Sequence, residues 1–126
     1  MTMRIQIESG GITLQAELQE NETAHKIMAA LPIEGQVNRW GEEIYFAIPV
    51  TLSEAADARQ DMQVGELGYW PPGNALCIFF GPTPASQDEQ PRAASNVNPF
   101  GMIEGDATTL SAVPQGAKIT LSEIAS

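Results

Sequence analysis

The sequence predicts a mainly β protein: a closed or nearly closed β-barrel of about eight strands with one capping α-helix near residues 22–31. Three observations carry this expectation. Short runs with period-two or continuous apolar character, bounded by turn residues, recur from Met3–Glu8 to Ala117–Leu121. A continuous apolar stripe at helical spacing is clear in one place. Glycines and prolines punctuate the runs, and a sheet that closes on itself buries many short strands while leaving few edges.

Taken in order, Met3–Glu8 and Ile12–Leu18 both alternate and form a hairpin, with Ser9-Gly10-Gly11 supplying the positive φ of a tight turn. Asn21 is placed to cap a helix, and Glu22 sits in the first turn, where the helix dipole favours negative charge. Ala24, Ile27, Met28 and Leu31 make one apolar stripe, and Pro32 turns Leu31 away from helical geometry. His25 and Lys26 lie off the stripe and face water. Glu43–Val50 reads as a strand that Pro49 ends or leaves at an edge, with Glu42-Glu43 a solvated turn before it. Ser53–Gln63 has helix-forming composition without a stripe and reads as a loop holding one helical turn.

Val64–Trp70 is a strand interrupted by Gly65 and Gly68, followed by a Pro71-Pro72-Gly73 turn in which glycine takes the positive φ. Ala75–Phe80 is apolar at every position and too short for a stable helix, so it is a strand covered on both faces. Gln87–Asn98 shows no pattern and reads as a long loop of the functional or mobile kind. Pro99–Glu104 is a short strand, Asp106–Ser111 a helical turn, and Ala117–Leu121 the closing strand.

Length sets the expectation of a single domain over residues 1–126. Six Lys and Arg against 16 Asp and Glu give a net charge of −10, and the six basic residues are scattered. Without a basic cluster, neither nucleic acid nor an anionic membrane is expected as a partner. The start MTMRIQIES has no apolar core of a signal peptide, no stretch reaches membrane-spanning length, and a cytoplasmic location is the default. Cys77, the one cysteine, lies inside an apolar run and reads as a small core hydrophobe. His25, the one histidine, has no nucleophile at catalytic spacing. No spacing of His, Cys or carboxylates suggests a metal, no glycine pattern suggests a nucleotide, and no cofactor is expected.

Five short segments in order carry a resemblance: NETAHKIMAAL, IYFAIP, GNALCIFFGPT, NPFGMIEGD and AKITLSEI. They resemble the helix start, the arginine-bearing strand before an Ile-Pro, the paired-phenylalanine strand, the Phe-Gly strand and the closing strand of cyclophilins, the prolyl-isomerase barrels. The whole chain is more similar to a group of small bacterial and archaeal cyclophilin-like proteins of unassigned activity. Their hallmark is a block like GYWPPGNALCIFFGPTPAS followed by Arg92-Ala93-Ala94-Ser95.

The departures are chemical. Aligned on Ile48-Pro49, the catalytic arginine of cyclophilins becomes Phe46, and their active-site glutamine becomes Ile78 or Ala75 according to the register. Their tryptophan and histidine have no counterpart in Arg92–Pro99, whereas Phe80 keeps one proline-pocket position. Twisting an X-Pro bond meets a barrier of ~18–20 kcal/mol from amide resonance, which a cation near the proline nitrogen weakens. Phe46 brings no charge, so isomerase activity requires Arg39, Arg59 or Arg92 to reach in from a loop. The expected function is therefore a binding module for a small molecule or peptide segment on the barrel face. Its candidate residues are Arg39, Phe46, Tyr69, Trp70, Phe80, Arg92 and Phe100. A divergent prolyl isomerase and a subunit of an amide-processing enzyme, as related barrels in 5-oxoproline metabolism imply, are the alternatives. Arg39-Trp40 reads as a stacked pair, Arg92 as a local salt bridge or an anion-binding group, and Asn74, Asn96 and Asn98 as turn residues.

Overall fold

A computed structural model of the protein describes residues 3–124. Its elements are β1 (Met3–Ser9), β2 (Ile12–Leu18), α1 (Glu22–Ala30), β3 (Ile33–Gln36), β4 (Asn38–Arg39), β5 (Glu43–Ala47), β6 (Arg59–Asp61), β7 (Glu66–Trp70), β8 (Ala75–Phe79), β9 (Arg92–Glu104) and β10 (Lys118–Glu123). Short 3-10 helices occupy Pro71–Gly73 and Ala107–Ala112. The strands follow one another in the order β3-β10-β1-β2-β9-β7-β8-β5-β4, with β6 paired to β9 beside this path. The two end strands, β3 and β4, are consecutive in the chain and separated only by Val37. Val37 donates to the Ala117 carbonyl and accepts from the Gly116 N–H, each at 2.8 Å, so one bent segment serves both ends of the sheet. The result is a nearly closed barrel.

Alternation fills the interior. Ile5 and Ile7 of β1, Ala16 and Leu18 of β2, Leu67 and Tyr69 of β7, Leu76 and Ile78 of β8, and Ile119 and Leu121 of β10 are all buried in one core. Burying such a side chain contributes about 1.5–3 kcal/mol, so the period-two pattern is strongly selected in each strand. The hairpin turn has Gly10 and Gly11 at positive φ, as expected. In α1 the Asn21 side chain accepts from the Ala24 N–H at 2.9 Å and donates to the Pro99 carbonyl at 3.1 Å, which ties the helix start to β9. Ala24 and Ile27 face the core, while His25 and Lys26 face water.

Several expectations are corrected. Arg92–Asn98 is not loop but the first half of the 13-residue strand β9. The register against β7 pairs Leu67 with Gly101 and Gly68 with Pro99, leaving Phe100 as the extra residue of a bulge. A bulge accommodates Pro99 and reverses which parity of residues faces inward. Ala93 and Val97 consequently lie outside the barrel, whereas Phe100 and Ile103 lie inside. Ser53–Gln63 contains β6, which pairs with the first half of β9, and Ile33–Arg39 adds β3 and β4 to give ten strands. The Pro71-Pro72-Gly73 turn places Asn74, not Gly73, at positive φ. The strand before Pro49 ends at Ala47 rather than Val50. Among the described residues no helix is long and apolar enough to cross a membrane.

The seam between β3 and β5 depends on Gly35, where an added methyl would lie 2.7 Å from Cδ2 of the buried Phe46 ring. Gly35→Ala is expected to lower stability by about 1–3 kcal/mol through overpacking, read from the urea midpoint. Adding Phe46→Leu to the Gly35→Ala chain should return part of that loss. A Gly35→Ala protein as stable as the parent would show that the seam is not closed by this contact.

Candidate functional site

The strands β5, β8 and β7 are neighbours, and their outward residues share one patch. Glu43 lies opposite Phe79, Tyr45 opposite Cys77, and Cys77 opposite Gly68. Met62, Cys77, Phe79, Ala93 and Val97 form a second apolar cluster on this outer face, with Tyr45 and Trp70 packed at its edge. Gly68 makes the cluster compact, since a methyl there would lie 2.8 Å from Val97 Cγ2. A cavity of about 220 Å³ opens above it, lined by Trp40, Glu43, Tyr45, Trp70, Cys77, Ala93, Ala94 and Val97. That is below the ~300–1,000 Å³ of sites for larger ligands, and suits a group of a few heavy atoms.

Each aromatic wall has its own support. Trp70 donates through Nε1 to Ser95 Oγ at 2.7 Å. Its ring lies over the 3-10 turn, where a Cβ on Gly73 would stand 2.8 Å from Trp70 Cε3. Trp40 rides on the turn between β4 and β5, closed by its N–H to the Glu43 carbonyl at 3.0 Å. Arg39 braces that turn. Its guanidinium donates to the carbonyls of Val113 (2.7 Å), Ser111 (3.3 Å) and Gly41 (3.3 Å), pairs with Glu42 at 3.5 Å, and lies 5.1 Å from the Phe80 ring centroid.

Glu43 is the unusual member. The expected solvated turn residue is instead the first residue of β5 and only 5% exposed. Its Oε1 is buried without a hydrogen-bond partner among the described residues. Burial raises its carboxyl from the usual 4.5 to about 7, with a hydrogen bond from the Cys77 thiol pulling it partly back. The Cys77 thiol itself is pushed well up, chiefly by burial and further by the Glu43 carboxylate, so it is protonated and no nucleophile. Among the described residues no three His, Cys, Asp or Glu side chains are grouped to hold a metal ion.

The seven residues singled out from the sequence do not come together on one open face. Phe46, Tyr69, Phe80 and Phe100 are buried in the barrel core. Tyr69 uses its hydroxyl to hold the segment after β5, donating to the Val50 carbonyl at 2.7 Å and accepting from the Leu52 N–H at 3.1 Å. Trp70 alone of the seven lines the cavity. Arg39 is stacked on Phe80 rather than on Trp40. Arg92 faces a separate, more polar hollow, paired with Asp61 at 3.4 Å and donating to Gln60 Oε1 at 3.3 Å. Arg59 is held by Glu66. Asn74 serves a turn, as expected, but Asn98 is buried, accepting from the Ala55 N–H at 2.8 Å and donating to the Ser53 carbonyl at 3.0 Å.

Sequence reasoning missed Trp40, Glu43 and Tyr45 as neighbours of Trp70. The signal was present: Glu43 and Tyr45 are two apart in a strand, opposite in parity to the core residues Ile44 and Phe46.

The sequence model of the family described as cyclophilin-like matches residues 1–122. Among solved structures, the chain is similar to the solution structure of a hypothetical protein from Archaeoglobus fulgidus. The two share 36% identity over 98% of this chain and 95% of that one, with a TM-score of 0.83. No curated protein matches.

The buried carboxyl gives a pH signature. With a folded value of about 7 above the ordinary 4.5, the folded state holds the proton more tightly than the unfolded state. The neutral carboxyl carries no ionisation penalty below that lower value, and the penalty grows as pH rises through the window and is constant above it. Glu43→Gln removes the penalty. Its stability relative to the parent is expected to improve from pH 4 to pH 8 by about 1–3 kcal/mol in urea denaturation. A difference independent of pH would mean that Glu43 ionises as freely as a solvated carboxylate.

Proposed function

The chain belongs to the cyclophilin-like family, and from that premise we propose that it acts as a binding module, holding a small molecule or one side chain of a peptide segment in the Trp40–Tyr45–Trp70 cavity. The observation that carries this reading is Glu43: a carboxyl oxygen left buried and unpartnered at an aromatic-walled cavity. Buried polar groups in stable proteins are nearly always hydrogen-bonded, and one left open in a concave apolar site is a place for a ligand to complete. Three aromatic residues supply contact area at little conformational cost, and the supports of Trp70 and Trp40 hold two of them in place before any ligand arrives.

Isomerase chemistry is less well served by the same cavity. Among the described residues no lysine or arginine lines it, and Arg39, Arg59 and Arg92 each have partners elsewhere. A carboxyl offers no positive charge to a proline nitrogen. The reading is thus one of capture rather than bond rotation.

Both tryptophans of the chain line the cavity, so intrinsic emission reports directly on its occupation. Titration with a panel of alkylamines, N-capped dipeptides, aromatic carboxylates and sugars should give a saturable response with at least one class. Trp70→Ala, which keeps Trp40 as the reporter, is expected to weaken that binding at least tenfold, a loss of ~1.4 kcal/mol or more. A panel without any saturable response, or ligands bound equally by Trp70→Ala, would remove the cavity as the site.

A further inference from the structure

The composition of the cavity wall restricts what fits it. Much of its wall is aromatic ring faces and the small apolar side chains of Ala93, Ala94 and Val97, and these surfaces offer no hydrogen bonds to a ligand's periphery. Its one strongly polar side chain is an acceptor when ionised, and no cation among the described residues lines the cavity to compensate it. A ligand that suits both features is apolar at its surface and positively charged at its centre. Aromatic faces attract such ions through the ring quadrupole, more strongly when water is excluded.

We propose that the cavity takes a small alkylated ammonium headgroup, with its methyl groups against Trp40, Tyr45 and Trp70 and its charge balanced by the Glu43 carboxylate. The inference rests on the binding reading above and names the ligand class for it. A bare ammonium fits less well, since it is strongly hydrated and the wall is mostly aromatic rings and small apolar side chains, with few acceptors to replace its water. An anion or a second carboxylate is disfavoured by Glu43 and by the net charge of −10, which also draws cations toward the molecule.

Below the carboxyl's midpoint of about 7, capture of the cation converts the neutral carboxyl to a carboxylate and the released proton passes to solvent; above it the carboxylate is already formed. The groups facing Glu43 leave this exchange to it alone. Tyr45 on β5 and Cys77 on β8 are the other titratable groups lining the cavity, and Cys77 stays protonated. From β7 and β9 only Trp70, Ala93, Ala94 and Val97 face the cavity. In the turn before β5, Glu42 is paired with Arg39, while Arg59 and Asp61 of β6 line the other hollow.

The test compares choline with 3,3-dimethylbutan-1-ol, its neutral isostere, by tryptophan emission and calorimetry on the full chain at pH 6 and pH 8. Choline is expected to bind at least tenfold more tightly than the alcohol at pH 8. With Glu43 titrating at about 7, its affinity should fall roughly tenfold at pH 6, whereas the alcohol shows no such fall. Glu43→Gln, checked for folding by its thermal transition, should abolish the pH dependence and most of the preference, leaving only what the aromatic rings supply. An N-capped trimethyllysine alongside separates sources: affinity equal to choline points to a free cation, and tighter binding to a side chain on a peptide. Equal affinity for choline and the alcohol would overturn the charge requirement while leaving the cavity as a binding site. Binding of neither would overturn the ligand class, and the panel titration then decides separately on the cavity. Full choline preference retained in Glu43→Gln would also refute the proposal.

Discussion

In β8, Leu76 and Ile78 point into the barrel while Cys77 and Phe79 point out of it, and all four are buried. This two-sided burial is the constraint on which the rest of the structure depends. A strand in a barrel wall ordinarily has one wet face, and here the outer face needs cover of its own. The cover comes from Met62, just after β6, from Ala93 and Val97 in the first half of β9, and from the edge aromatics Tyr45 and Trp70. The cavity is the space that this cover leaves open.

The bulge at Phe100 is what lets one strand meet both demands. Without the extra residue, β9 would carry Ala93 and Val97 on the same side as Gly101 and Ile103, and the outer cluster would lose its lid. Glycine at position 68 removes the side chain that would hold Val97 away, and glycine at position 73 lets the Trp70 indole settle over its turn. Arg39 performs a comparable service at the other wall, spending its donors on three backbone carbonyls to fix the turn that presents Trp40. The common effect of these supports is a preformed aromatic enclosure around a carboxyl that burial makes titrate at about 7, well above an ordinary glutamate.

Much of the scaffold was legible in the sequence because its signals are local. The first hairpin announces itself by alternation and paired glycines, α1 by Asn21 and a single stripe, and β8 by an unbroken apolar run. The first half of β9 was not legible, since Ser95, Asn96 and Asn98 interrupt its alternation and Pro99 argues against a strand unless a bulge is known. Arg59–Asp61 has no apolar residue at all and becomes a strand only through its pairing with β9. At the site, Trp70 stood out by its place beside a turn, whereas Phe46 and Phe80 drew attention through a motif alignment and proved to be core. Glu43 was hidden by its neighbour: two consecutive glutamates read as a solvated pair, although Glu42 stays in the turn, paired with Arg39, and Glu43 begins β5 beneath the aromatics.

The central claim is that the Glu43 carboxyl, with its Oε1 unpartnered among the described residues, is buried in a preformed aromatic cavity of the ligand-free protein and titrates well above an ordinary glutamate. Titration of that carboxyl carbon by NMR, in protein labelled at glutamate Cδ, measures it directly. A single glutamate resonance with a midpoint of about 7, absent from Glu43→Gln, is the result this account predicts. If every glutamate titrates near the ordinary 4.5, Glu43 is solvated, the cavity is not as described, and the account is contradicted.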